Sequence, residues 1–202
     1  ADLLIETPNG HVPLSKIVVT PHGAPDRPLI DTAAPKARLG LDGREVMLAF
    51  GLLSPGKGLE AVIQALPEIV KSRPNALYVI LGATHPHLIA LEGEAYREGL
   101  FDLARRLGVG DHVRFHNQYV DTPLLLDWLS AADLYVTPYL NEAQITSGTL
   151  SYAVALGQAG QLGRIHVLAD LLIELGHGLV GPVLFELAHH ARRHARDQRD
   201  LL

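Results

Sequence analysis

The stretch Val46-Met47-Leu48-Ala49-Phe50-Gly51-Leu52-Leu53-Ser54-Pro55-Gly56-Lys57-Gly58 decides the fold of this chain. Its first five residues are apolar without a break, as in a strand buried on both faces, and Gly51 stops the run. From residue 58 to residue 73 the period changes, and Leu59, Val62, Ile63, Leu66, Ile69 and Val70 fall on one helical face. A buried strand, a glycine-containing loop and an amphipathic helix, in that order, open a strand-helix-strand unit.

The alternation repeats downstream. Leu77-Tyr78-Val79-Ile80-Leu81 reads as a second strand ended by Gly82, and residues 94–107 as a helix closed by Gly108-Val109-Gly110. His112-Val113-Arg114-Phe115 is a third strand and residues 124–132 a third helix. Asp133-Leu134-Tyr135-Val136-Thr137 is a fourth strand, followed by a helix over residues 147–156. The fold class expected is α/β, a mainly parallel sheet with helices on both faces. Upstream, Ile17-Val18-Val19-Thr20 reads as a short strand, after which Pro21, Gly23, Pro25, Pro28 and Pro35 punctuate an irregular stretch. Residues 1–43 are therefore expected to be a linker with the remnant of a preceding domain, and residues 44–202 the folded domain.

The 202 residues are 48% apolar and 19% charged, a globular composition able to bury a substantial core. A net charge of −5 gives no electrostatic reason to expect nucleic acid, and the eleven histidines alter that only in acid. The absence of cysteine excludes a disulfide framework and cysteine-ligated zinc. No apolar run is long enough to span a bilayer, and Ala1-Asp2-Leu3-Leu4 lacks the order of a signal peptide, so a cytoplasmic location is expected.

In an open parallel sheet, ligands bind beyond the carboxyl ends of the strands. The loops there are residues 51–57, 82–94, 116–123 and 138–148. The first nominally satisfies most of a Walker A pattern. Gly58, however, stands where Ser or Thr would ligate magnesium, and no apolar strand ending in an acidic residue supplies the second half. Lys57 is informative in another way. A cation at a helix N-terminus opposes the dipole by about 0.3–1 kcal/mol. Either the lysine is solvated and tolerates that cost, or an anion sits there between its ammonium and backbone N–H groups. In the fourth loop Glu142 lies on the approach, and Thr146-Ser147-Gly148-Thr149 opens the helix with small hydroxyl donors. An N-cap needs one such residue; four leave donors for a phosphate. His85 and His87 flank Pro86 without a third metal ligand nearby, which favours a turn with one substrate contact at His85. His190 and His194 have helical ligand spacing, but Arg192 and Arg193 make that stretch a solvated basic face.

Together these residues resemble the C-terminal, donor-binding domain of retaining glycosyltransferases of the GT-B fold, family 4 or "group 1". The resemblance covers about residues 16–158. Its landmarks are Val19-Thr20-Pro21-His22-Gly23-Ala24-Pro25-Asp26, the loop quoted above, Leu81-Gly82-Ala83-Thr84-His85-Pro86, Ala132-Asp133-Leu134-Tyr135-Val136-Thr137-Pro138-Tyr139, and Glu142 onward to Gly157. It implies a Rossmann-like three-layer α/β/α domain, one half of a GT-B fold. Lys57 would neutralise the leaving diphosphate without a metal, and Glu142 would contact the donor sugar's hydroxyls. Thr146, Ser147, Gly148 and Thr149 would cradle the phosphates, and the backbone around Asn117, Gln118 and Tyr119 would meet the base. Gly51, His85 and Gln144 complete the implied donor-binding set. No cofactor is implied, the nucleotide-diphosphate sugar being a substrate.

The sequence departs from the family at two places. Leu52 stands where an arginine usually partners the lysine, and the second motif glutamate, expected near Leu150 and Ser151, is absent. A subgroup shares the Gln144-Ile145-Thr146-Ser147-Gly148 pattern. The implied partner is an N-terminal acceptor domain, without which the chain is expected to bind donor and transfer nothing. An exposed half-cleft also suggests a homodimer. A non-catalytic nucleotide or sugar-phosphate binding module, and a nucleotide-sugar epimerase fragment, are the alternatives. From about residue 160 the match weakens, with Gly160 and Gly163 where a central strand should run, and residues 183–202 form a poorly matched tail.

Overall fold

The computed structural model describes residues 4–7, 10–18, 23–25, 31–138, 140 and 148–156. Strands β1 (Leu4–Thr7) and β2 (Gly10–Pro13) form an antiparallel hairpin in the register Leu4 to Pro13. Ile17 and Val18 lie outside any strand, and Val19 and Thr20 lie outside the described residues.

Helix α1 (Ala33–Arg38) then leads to β3 (Glu45–Phe50), α2 (Leu59–Ser72), β4 (Ala76–Leu81), α3 (Pro86–Glu92) and α4 (Ala95–Arg106). Strand β5 (Val113–His116), α5 (Thr122–Ala131), β6 (Leu134–Tyr135) and α6 (Gly148–Ala155) follow. The four later strands pair in the order β5-β4-β3-β6, all parallel. This is the Rossmann-like α/β architecture expected from the alternation.

Because side chains alternate across a strand, β3 and β4 feed two cores. Met47, Ala49, Tyr78 and Ile80 pack under α2 and α4, whose Val62, Ile63, Leu66 and Leu100 are buried. Val46, Leu48, Val79 and Leu81 pack on the opposite face with Trp128 and Leu129 of α5 and Ala153 of α6. Fully burying one such aliphatic side chain contributes about 1.5–3 kcal/mol, so each face anchors the sheet.

The packed unit includes residues that the sequence reading gave to the linker. Leu41 is fully buried in the second core, and Lys36 of α1 pairs with Asp133 while donating to the Arg44 carbonyl at 2.8 Å. The proline that broke up this stretch on paper, Pro35, is buried inside α1 near its start, where a missing N–H costs nothing. Helix α3 was also unforeseen. His85-Pro86 read as a turn, and in the structure it is a helix start, with Pro86 in the first turn and the His85 ring accepting from the His87 N–H. Among the described residues no helix is long and apolar enough to cross a membrane. The atypical segment from residue 160 and the tail at 183–202 lie outside the described residues.

Candidate functional site

The sheet order reverses at β3. The chain steps from β3 through β4 to β5, then returns to the other side of β3 as β6. At such a point neighbouring loops part toward opposite faces and leave a crevice at the carboxyl ends of the strands. A cleft of about 420 Å³ opens at this edge. Its walls are Gly51 and Leu52 after β3, Gly82 and Ala83 after β4, Gln118 and Tyr119 after β5, and Gly148, Thr149 and Tyr152 of α6.

Backbone pairing continues past the strand ends and fixes these loops. The Gly51 N–H donates to the Leu81 carbonyl at 3.0 Å, and the Gly82 N–H to the His116 carbonyl at 3.0 Å. Beyond them, Leu53 N–H donates to Ala83 and His85 N–H to Leu53. Gly82 has φ +139°, and a Cβ there would lie 2.2 Å from the Gly51 carbonyl oxygen. Only glycine lets the first two loops come this close.

Lys57 ends a 3-10 turn, Pro55–Lys57, and Gly58 then caps α2 in the left-handed region. The Leu140 N–H donates to the Gly56 carbonyl at 3.1 Å, which ties the loop after β3 to the segment after β6. Two groups from separate elements meet over Gly51. A Cβ built on that glycine would lie 3.5 Å from Thr149 Cγ2 and 3.8 Å from Lys57 Nζ. The missing side chain leaves backbone open between an ammonium and the first turn of α6. The cleft wall itself carries no charged side chain among the described residues.

Of the residues singled out by sequence, Gly51, Gln118, Gly148 and Thr149 line the cleft, with Lys57 beside Gly51. Asn117 adjoins the wall and donates from Nδ2 to Glu94 at 3.4 Å. His85 is exposed, spends its Nδ1 on capping α3, and is not on the cleft wall. Glu142, Gln144, Thr146 and Ser147 lie outside the described residues, as do His190 and His194.

Tyr119 and Leu52, both named from the sequence, stand out on the cleft wall, and one cluster, around Glu94, escaped the sequence reading. Tyr119, 91% exposed, stands on the cleft wall as an aromatic face, and Leu52 is 41% exposed on the same wall. Glu94 gathers donors from Thr84, Arg97 and Asn117. The Thr84 hydroxyl, then the Arg97 and Asn117 donors, hold its carboxyl below the usual carboxylate range. Its partners are 10 and 23 residues away in the chain for Thr84 and Asn117, so no local spacing announces the cluster.

Comparison with known proteins gives a consistent picture. The family profile described as "Glycosyl transferases group 1" matches residues 32–144. The D-inositol 3-phosphate glycosyltransferase of Streptomyces avermitilis is 34% identical over 161 residues, an alignment covering 69% of this chain and 33% of that protein. Among solved structures, Anabaena HepE in complex with UDP-glucose superposes with a TM-score of 0.50 at 26% identity, covering 63% of this chain and 32% of HepE. A UDP-forming trehalose-phosphate synthase from Burkholderia xenovorans shares the fold, with a TM-score of 0.53 at 17% identity over 79% of this chain and 41% of the synthase. The chain spans between 33% and 42% of the length of the first curated relatives it matches.

Proposed function

This chain belongs to the group 1 glycosyl transferases, and from that membership we propose that its cleft holds a nucleotide-diphosphate sugar as the donor for glycosyl transfer. The observation that carries the reading is the convergence on Gly51. Lys57 Nζ and Thr149 approach one bare glycine, at the point where the sheet order reverses and α6 begins. A diphosphate placed there meets an ammonium on one side and helix N–H groups on the other. HepE, solved with UDP-glucose, supports a uridine nucleotide as the first ligand to try.

In this reading the β-phosphate leaves as the bond from the anomeric carbon to its oxygen breaks. The acceptor hydroxyl supplies the new oxygen and passes its proton to the departing diphosphate. Lys57 stabilises the charge that builds on the departing diphosphate, which is electrostatic catalysis and places the residue in contact with the leaving group. Gln118 and Tyr119 face the nucleoside, and Glu142 orients the sugar. Transfer proceeds with retention. The acceptor is held by a second domain, so residues 1–202 bind donor without transferring it.

A thermal-shift screen against UDP-, GDP- and ADP-sugars tests this. A ligand at about 100 times its Kd adds about 2.7 kcal/mol to the folded state, so one nucleotide class should raise the melting temperature clearly. No shift with any of the three would remove the nucleotide-sugar reading. Leu52, apolar and exposed on the cleft wall, favours a second reading, that of a donor-binding module without transfer. Supplying an acceptor domain and seeing no product despite tight binding would select it.

A further inference from the structure

Glu94 is the N-cap residue of α4, but its side chain makes no capping hydrogen bond. Its carboxylate turns sideways and accepts from Thr84 Oγ1, from Arg97 Nε at 3.0 Å and from Asn117 Nδ2 at 3.4 Å. Thr84 follows β4 and is 3% exposed, and Asn117 follows β5. Thr84 is also bridged to Leu53, which follows β3. Each of the three is the chain neighbour of a residue on the cleft wall. Leu53 follows Leu52, Thr84 follows Ala83, and Asn117 precedes Gln118.

The loops after β3, β4 and β5 leave separate strands, and nothing covalent fixes the spacing of their tips. A carboxylate suits the junction, because its two oxygens accept several donors at once and offer no proton that would repel one of them. From this juxtaposition we infer that Glu94 is a positioning residue of the cleft. It touches no ligand itself, and it sets the distance between the wall after β4 and the wall after β5, hence the fit of the nucleoside. The inference rests on the proposed reading of the cleft as a nucleotide site.

The test uses amide hydrogen exchange on the free chain, tryptophan emission, and titration with UDP. Trp128 is the one tryptophan of the sequence, and its ring lies 5.5 Å from that of His116, next to Asn117. In Glu94→Ala, the amides of Gln118, Tyr119 and Val120 should exchange faster and Trp128 emission should shift, while β3 and α2 keep their protection. UDP affinity should fall on the order of tenfold, the size of effect one charge-assisted hydrogen bond carries. Asn117→Ala, at an exposed position, should reproduce part of the loosening and add little to Glu94→Ala, because coupled residues are not additive. If Glu94→Ala does not fold, Glu94→Gln takes its place. Unchanged exchange at residues 118–120, uniform loss of protection across the domain, or strictly additive effects would overturn the inference. Exchange and emission are read without ligand. A chain that bound no UDP at all would therefore sink the nucleotide reading and leave the Glu94 result to stand or fall by itself.

Discussion

Lys57 stands one residue before the glycine that starts α2, with its charge set against the helix dipole. Such a placement costs about 0.3–1 kcal/mol, so Lys57→Ala should leave the melting temperature of the ligand-free chain level or slightly raised. A clear fall in a thermal melt would assign the lysine to scaffold work. Gly58 should behave in the opposite way. It has φ +64°, and a Cβ there would lie 2.0 Å from the Pro138 carbonyl oxygen. Gly58→Ala therefore combines left-handed strain of about 1–3 kcal/mol with a backbone clash, and urea denaturation should show at least that loss. Glu94 predicts a pH effect. Its folded-state pKa is depressed, chiefly by the Thr84 hydroxyl. The stability it contributes is intact above the unfolded-chain value of about 4.3 and lost as pH falls through the lower folded value. Acid titration should cost the wild type more stability than Glu94→Gln; parallel curves would mean that the carboxylate's hydrogen bonds add nothing. That Lys57, Gly51 and Thr149 lie at strand-to-helix junctions was legible from the order of the elements. Glu94 was not, since its role depends on which loops the fold brings together.

Helix α2 and strands β3 and β4 were legible from period alone, because β4 is buried throughout and α2 buries one face. The hairpin β1–β2 and helices α1 and α3 were not, because proline and short length hide elements that packing and caps sustain. Helix α1 is held at the amino end of the sheet by Asp133. This carboxylate accepts from Lys36 Nζ and from the Val46 N–H at 2.7 Å, with side-chain exposures of 12% for Lys36 and 18% for Asp133. Asp133→Ala takes that acceptor from the Val46 N–H and leaves Lys36 only the Arg44 carbonyl, so it should destabilise by about 2–3 kcal/mol, at or just below the range for breaking a buried pair because some solvent reaches both groups. Lys36→Met leaves the carboxylate its backbone partner and keeps an apolar stem, so it should cost less than half as much. Equal losses in chemical denaturation would show that the ion pair, and not the backbone contact, dominates.

The molecule as a whole places its ligand edge by topology. Four parallel strands in the order β5-β4-β3-β6 put the reversal beside β3, and three loops, two of them glycine-bearing, converge there with the start of α6. That edge could be foreseen from the alternation of strands and helices, whereas the strand order could not, since nothing local records on which side of β3 the chain returns. The electrostatics are sparse: an uncharged wall with one lysine beside it among the described residues. If a diphosphate binds there, the lysine must discriminate between nucleotides by their second phosphate. Calorimetric titration of the wild type and of Lys57→Ala with UDP and with UMP reads this directly. The wild type should prefer UDP, and the substitution should cost UDP about tenfold or more, the equivalent of about 1.5–3 kcal/mol for a charge-assisted bond, while UMP binding changes little. Equal losses for UDP and UMP, or none for either, would contradict a diphosphate site at Gly51 and Lys57.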